Sequence, residues 1–184
     1  MRPRADSWIS LTFPSSQLRL DPKLRLTVNS IVLRLAQQQD APAISSILLN
    51  AFLEYRSQYT EQGFNATTPN PTEILRRLEE GPLWLALIDG EAVGTVSAVM
   101  QDLGVLYVRG MAVLPSARGA GIGTLLFQEV DRYAIEHDCN RLLLSTTPFL
   151  HRAIKLYEKL GFVRIDQGEQ DLYGTPLFTM EKLL

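Results

Sequence analysis

Apolar and polar positions follow two different periods along the 184-residue chain, and the two periods divide it into strands and helices. Short apolar runs bounded by turn residues predict strands, whereas apolar residues at i, i+3 and i+4 predict helices. The predicted strands are Ile31–Leu35, Leu83–Ile88, Ala92–Gln101, Leu106–Leu114, Arg141–Thr146, Phe162–Ile165 and Leu177–Met180. The predicted helices run from an Asp40 cap to about Phe52, from Pro71 to the Gly81-Pro82 stop, from Gly121 to about His137, and from Phe149 to Gly161.

The order of these elements predicts an α/β domain over residues 30–184. The strands within 83–114 are joined by the short turns Asp89-Gly90 and 102–104, so we expect three antiparallel strands in sequence. The apolar run from Arg141 is suited to a central, parallel strand. Periodicity is lost between Leu53 and Asn70. Residues 1–29 have no sustained period and contain three prolines, so we interpret them as an N-terminal arm outside the core.

Composition excludes several classes of function. A hydrophobic content of 46% predicts a sizeable core, and a net charge of −2 argues against a nucleic-acid binder or a polybasic membrane binder. No run approaches the roughly 20 apolar residues of a membrane span, and no signal peptide is visible, so the default prediction is cytoplasmic. Cys139 is the single cysteine and we expect it to be a packing residue. Two distant histidines predict no metal site. The apolar arm and the C-terminal strands would allow a homodimer.

The turn Arg118–Gly123, RGAGIG, is the clearest candidate for a binding site. It follows a strand stopped by Pro115 and opens a helix, so free backbone N–H groups meet a positive helix end, which suits a phosphate. Its three glycines would allow close approach and positive φ. A plain connecting turn is the alternative. The turn is not a P-loop, because no Gly-Lys-Ser/Thr sequence follows it. It is also not a dinucleotide-binding fingerprint, which requires a different spacing of the glycines.

A second motif lies more than thirty residues further on, at Leu156–Phe162, LYEKLGF, with Ala153 one helical turn before Tyr157. The two motifs and the β–β–β–α–β–α order resemble the GNAT superfamily of acyl-CoA-dependent N-acetyltransferases. The resemblance covers about residues 31–180. It implies a GNAT-like single domain with a central mixed and mostly antiparallel sheet, helices on both faces, and strands that splay apart at the cofactor groove.

The resemblance also implies acetyl-CoA as donor and assigns residues to it. The loop would hold the CoA pyrophosphate through main-chain N–H groups, and the preceding strand would hold the pantetheine arm. The implied cofactor-binding residues are Met111, Ala112, Val113, Arg118, Gly119, Ala120, Gly121, Ile122, Gly123 and Thr124. Tyr157 matches the family tyrosine that protonates the departing thiolate. The alternative is an amphipathic tyrosine that only packs its helix against the sheet.

Two departures from the family pattern concern the acceptor side. Leu150 stands where many members have an asparagine that touches the cofactor, and Tyr107 stands where some have a glutamate base. Arg109, on the same strand face, would repel an ammonium group but could bind a substrate carboxylate. We therefore place the base in the unpatterned segment, at Glu54 first and Glu61 second, and an exposed surface role is the alternative for both.

The aromatic residues of the unpatterned segment, Tyr55, Tyr59 and Phe64, either shape the acceptor pocket or pack the segment.

The resulting hypothesis is an N-acetyltransferase that moves an acetyl group directly onto a primary amine of a small molecule or a peptide. An amine of pKa about 10 needs about 4 kcal/mol to lose its proton near pH 7. The rival from another class is a non-catalytic acyl-CoA-binding sensor, and a weaker rival transfers a longer acyl group.

Overall fold

The computed structural model describes residues 31–102 and 104–184. The strands are β1 Ile31–Leu35, β2 Leu83–Ile88, β3 Glu91–Asp102, β4 Val105–Val113, β5 Arg141–Thr146, β6 Val163–Leu172 and β7 Thr175–Leu183. The helices are α1 Ala41–Phe52, α2 Glu61–Thr67, α3 Pro71–Glu80, α4 Ile122–Glu136 and α5 His151–Lys159. The predicted arm, residues 1–29, lies outside the described residues and stays a prediction. Within the described ranges, no helix is long and apolar enough to cross a membrane.

The strands form one seven-stranded mixed sheet in the order β1-β2-β3-β4-β5-β7-β6. Every neighbouring pair is antiparallel except β4 and β5, which run parallel with α4 as their crossover. The predicted mixed, mostly antiparallel sheet with a central parallel strand is therefore confirmed. The parallel pair matters for function, because the loop leaving β4 lies at the middle of the sheet.

Helices cover both faces of the sheet, as predicted. On one face α4 and α5 enclose a core that includes Phe127, Leu126 and Phe162, all 2% exposed or less. On the other face α1 and α3 pack over a second core around Ile44, Leu48 and Ile74. Burial of each such large side chain contributes about 1.5–3 kcal/mol before entropy is counted. Cys139 is buried in the first core, as expected for a packing residue.

Single elements differ in several details from what the sequence patterns indicate. The segment without periodicity is structured: it forms a 3-10 helix over Leu53–Gln58 and then α2. The apolar residues of the helix that begins at Pro71 predict an inward face formed by Ile74, Leu75 and Leu78, but Leu75 is 39% exposed. The last two strands are much longer than their apolar runs, because backbone pairing between β6 and β7 continues to Leu172 and Thr175 over residues of β6 that are mostly exposed.

Asp40 stands at the N-cap of α1, but its side chain makes no capping hydrogen bond to that helix. It accepts hydrogen bonds from Arg34 at 2.6 and 2.8 Å and from the backbone N–H of Gln37 at 2.7 Å. A guanidinium offers two parallel donors to one carboxylate, which competes successfully with the helix N–H groups. The predicted cap is thus wrong in detail, and Asp40 ties α1 to β1 instead.

The central strands separate where the loop begins. Pairing between β4 and β5 ends at Val108 and Leu144, while β4 continues along β3 to Val113. The register of β3 and β4 also shifts between Thr95–Ala112 and Ser97–Arg109, which leaves Gly110, at φ 61°, as an extra residue in β4. This β-bulge bends the strand away from β5. The expected splay of the two strands is confirmed.

Candidate active site

A groove of about 420 Å³ lies between the splayed strands, the RGAGIG loop and α5. Its walls include nine of the ten predicted cofactor residues, all except Ala120. The edge of β4 that faces β5 is unpaired beyond Val108, so its backbone groups are free to bond an extended ligand laid along it, as an added strand would. At the other end of the groove, the first N–H groups of α4 are available for an anion.

The three glycines of the loop serve two different needs. Gly119 and Gly121 have φ values of 87° and 77°, a region that a side chain would strain, and Gly121 is the N-cap of α4. Gly123 is helical and does not use the positive φ that a glycine would allow there. Gly123 is needed for space: an added Cβ would lie 2.7 Å from Cδ2 of Leu156 and 3.0 Å from Cε of Met111.

The side chain of Arg118 is held across the groove by α1 and the residues after it. It forms an ion pair with Glu54 and donates a hydrogen bond to the carbonyl oxygen of Ala51 at 3.1 Å. Glu54 was the first candidate for the base. Its carboxylate lies with the cofactor loop and lines neither cavity described here, so the structure does not bring Glu54 to the acceptor side.

A second cavity, of about 240 Å³, lies beside the point where β4 and β5 separate. It is lined by Tyr107 and Arg109 of β4, by Tyr59, and by the end of β5. The ring of Tyr59 packs edge-on against Phe149 at 4.9 Å between centroids, and burial raises the pKa of its phenol. Tyr55, by contrast, lines the first groove, and Phe64 is 2% exposed and lines neither space.

Tyr157 lies where the two spaces meet, because it lines both of them. It is 7% exposed, and its ring packs edge-on against Phe127 at 5.6 Å between centroids. Burial, with smaller contributions from Tyr59 and Tyr107, raises the pKa of its phenol well above the usual value of about 10. The phenol therefore stays protonated at neutral pH, which is the form that can donate a proton.

The second cavity contains no carboxylate or imidazole among its described lining residues. Glu61, the second candidate for the base, opens α2 and is exposed. In the same described ranges, no group of three or more His, Cys, Asp or Glu side chains is placed to hold a metal ion. The chemistry of the site thus rests on hydroxyl groups, guanidinium groups and backbone N–H groups.

Sequence reasoning missed Arg77, Thr146 and Thr147, which also line the second cavity. Arg77 follows the buried Ile74 by three residues and so lies on the inward face of α3, a signal that could have identified it. The two threonines follow directly from the apolar run of β5, at the point where it leaves β4. Leu150, at the family's asparagine position, lines both spaces.

A mixed sheet that splays beside a glycine-rich helix start, with one buried tyrosine between two cavities, defines the class of acyl-CoA-dependent transferases. A sequence model described as the acetyltransferase (GNAT) family matches residues 46–162. The chain therefore belongs to the GNAT family of acetyltransferases. The predicted superfamily, the fold and the assignment as an acyltransferase enzyme are confirmed.

Individual relatives agree with this assignment. The uncharacterized N-acetyltransferase YjgM of Escherichia coli is 31% identical over 142 residues, which cover 74% of this chain and 84% of that protein. N-acetylaspartate synthetase of Danio rerio is 36% identical over 101 residues, 54% of this chain but only 35% of that protein. Among solved structures, PaiA N-acetyltransferase from Thermoplasma acidophilum in complex with coenzyme A has a TM-score of 0.72 at 17% identity, covering 84% of this chain and 99% of that one.

Proposed function

We propose that this protein transfers the acetyl group of acetyl-CoA directly to a primary amine, with Tyr157 as the general acid. The observation that carries the proposal is the position of Tyr157, which lines both the groove and the second cavity. A group that protonates a leaving thiolate must reach the point where donor and acceptor meet. Three described residues line both spaces, Phe52, Leu150 and Tyr157, and of these only Tyr157 carries a group that can donate a proton.

On the donor side, the proposal gives the loop and β4 separate tasks. The N–H groups at the start of α4 would bind the pyrophosphate, while the unpaired edge of β4 at Met111, Ala112 and Val113 would hold the pantetheine arm in an extended form. A backbone N–H on that edge would stabilise the negative charge that develops on the thioester oxygen. Arg118 would add a cation at the mouth of the groove.

On the acceptor side, the amine loses its proton, attacks the thioester carbon and forms the amide as the C–S bond breaks. The electron pair of that bond leaves on sulfur, and the Tyr157 hydroxyl supplies the proton for the thiolate. The attacking nitrogen sheds its second proton as the amide forms, and this proton returns the Tyr157 phenolate to the phenol. The cations Arg77 and Arg109 line this cavity and favour the neutral amine over the ammonium form. Water at the cavity mouth would accept the amine proton, since no described lining residue is a carboxylate or a histidine.

The experiment is a coupled assay for free CoA with a panel of primary amines, run on the wild type and on Tyr157→Phe. We expect Tyr157→Phe to lower kcat about a hundredfold or more, the usual size of a lost general acid, with the Kd of acetyl-CoA nearly unchanged. Tyr133→Phe is the matched control, because that phenol is half-buried against Trp84 and lines neither space. An unchanged kcat in Tyr157→Phe, with chemistry shown to limit the rate, rules out the acid role.

Binding of acetyl-CoA without CoA release on any amine would instead favour the acyl-CoA-binding sensor. Competition between acetyl-CoA and longer acyl-CoAs would show whether the transferred group is only acetyl. The cytoplasmic location and the homodimer stay predictions from the sequence.

A further inference from the structure

The second cavity holds polar atoms that lack partners. Nε of Arg109 and the hydroxyl oxygens of Thr146 and Thr147 are buried, and none has a hydrogen-bond partner among the described residues. Thr147 lies near the Tyr59 phenol, but the two hydroxyls do not meet hydrogen-bond geometry. Buried polar groups almost always have a hydrogen-bond partner. Three unpaired polar atoms on residues that line one cavity therefore indicate a polar ligand that pairs with them.

Arg77 adds an uncompensated charge to the same wall. Its Nη2 donates to the carbonyl oxygen of Ala66 at 3.3 Å, and no carboxylate lies within 4.0 Å of it in the part of the chain that the structure describes. Its Nη1 would lie 3.5 Å from a Cβ added at Gly110, so the guanidinium sits beside the bulge of β4. Burial, and then the like charge of Arg109, lowers the pKa of Arg77.

Charge balance identifies the sign and the size of the missing partner. Arg109 is already paired with Glu80, which leaves one net positive charge, that of Arg77, on the cavity wall. One guanidinium fork and two free hydroxyls match a single carboxylate, which accepts several hydrogen bonds and carries one negative charge. A phosphate group would bring up to two negative charges. The volume of about 240 Å³ lies below the roughly 300–1,000 Å³ of drug-sized sites, which favours a small acceptor.

We infer that the acceptor is a free amino acid, whose carboxylate binds Arg77, Arg109 and the two threonine hydroxyls while its amine faces Tyr157. This inference rests on the proposed transfer to an amine and specifies its substrate class. The carboxylate would anchor the acceptor on the wall formed by α3, β4 and the end of β5. A simple alkylamine has no carboxylate to bind these groups, so the cavity offers it only the positive charge of the guanidinium groups.

The test measures binding, so that it does not depend on turnover. N-acetyl-L-amino acids, each paired with the analogue in which a carboxylate is replaced by a carboxamide, are titrated into the protein in the presence of CoA. For at least one pair, we expect the carboxylate to bind wild type about tenfold to a hundredfold more tightly than the carboxamide, as for a hydrogen bond to a charged group. Arg77→Gln should abolish that preference, and Arg77→Lys, which keeps the charge but not the fork, should retain part of it.

Arg132→Gln is the matched control, because that guanidinium lies on the exposed side of α4, lines neither space and should leave the preference intact. Three results would each overturn the inference: equal binding of acid and amide throughout the panel, binding of neither, or a preference that survives in a folded Arg77→Gln. Acetylation of simple alkylamines without any carboxylate preference would leave the proposed function standing. If the protein binds acetyl-CoA but releases no CoA with simple alkylamines or with amino acids, the proposed function is wrong. The titration with N-acetyl-amino acids still shows in that case whether the second cavity binds a carboxylate.

Discussion

At the scale of single residues, Glu54 and Arg118 show how a contact can reassign a side chain. Sequence reasoning offered Glu54 as a base and Arg118 as part of the cofactor loop. The structure joins the two in one ion pair, with Arg118 also bonded to the end of α1. A carboxylate so placed competes with an anionic ligand for the same guanidinium. We therefore expect Glu54 to tune acetyl-CoA affinity and not to accept the amine proton.

The Glu54→Gln variant separates these roles. Glutamine keeps the shape and removes the charge, so Arg118 is freed for the ligand and the Kd of acetyl-CoA should fall by up to about fivefold, the size of a partly exposed ion pair. The kcat at saturating acetyl-CoA should stay within about twofold of wild type, whereas loss of a general base would lower it about a hundredfold or more. Steady-state kinetics and a binding titration measure both quantities.

Glu61→Gln is the control for this prediction, since Glu61 comes from the same segment and is exposed. Neither quantity should change in it. A large fall in kcat for Glu54→Gln would restore the base role, and the same fall in Glu61→Gln would move that role to Glu61.

At the scale of elements, the glycine loop was predictable and the acceptor wall was not. RGAGIG has a recognisable spacing because the two residues with positive φ, Gly119 and Gly121, come directly before the start of α4. The wall of the second cavity, where we place the acceptor, combines residues from α3, β4 and β5 that are far apart in the sequence. No local sequence pattern can therefore predict that these residues lie together. In the segment 53–70, α2 is capped by Thr60 and is only seven residues long. A helix of that length is too short for a period of 3.6 residues to be recognised in the sequence.

The conformation of Gly121 gives a test of the loop. Its φ of 77° costs an alanine about 1–2 kcal/mol. The loop can relieve that strain by turning the first N–H groups of α4 away from the groove, and relief of about 1.4 kcal/mol corresponds to a tenfold loss of CoA affinity. Gly121→Ala should therefore raise the Kd of CoA about tenfold in a binding titration. Gly121→Asn should raise it less, because asparagine tolerates this conformation better.

Gly90 provides the matched control for the loop, because it has a similar φ of 86° and an added Cβ would likewise meet nothing within 4 Å. It lies in the β2–β3 hairpin and lines neither space. Gly90→Ala should cost similar stability and leave CoA affinity unchanged. Equal loss of affinity in both variants would mean that strain acts through the whole fold and not through the loop.

At the scale of the whole molecule, both binding spaces depend on where α1 is held. Its C-terminal residues Ala51 and Phe52 line the groove, and Phe52 also lines the second cavity. The opposite end of α1 is tied to β1, the edge strand, by the Arg34–Asp40 ion pair. The sequence predicted both elements but not this connection, because the Asp40 position before a helix also fits a cap.

The Arg34–Asp40 pair predicts how the free energy of unfolding depends on pH. Hydrogen bonding to Arg34 is the largest cause that lowers the pKa of Asp40 below its usual 3.9, and Arg34 stays charged throughout this range. The native state then holds the proton more weakly than the unfolded state, so the stabilisation is present above about pH 4 and is lost as pH falls through the lowered pKa. Asp40→Asn should reduce the free energy of unfolding by about 1–2 kcal/mol at pH 7, discounted for the partly exposed Arg34.

Urea titrations of wild type and Asp40→Asn from pH 7 downward measure this difference, which should shrink towards zero as Asp40 becomes protonated. Asp89→Asn is the matched control: Asp89 is exposed in the β2–β3 turn with φ 52°, a conformation that asparagine accepts. It should change stability little at any pH. A difference for Asp40→Asn that persists unchanged at low pH would show that the amide disturbs packing at the start of α1, and that the ion pair does not anchor the helix on which both spaces depend.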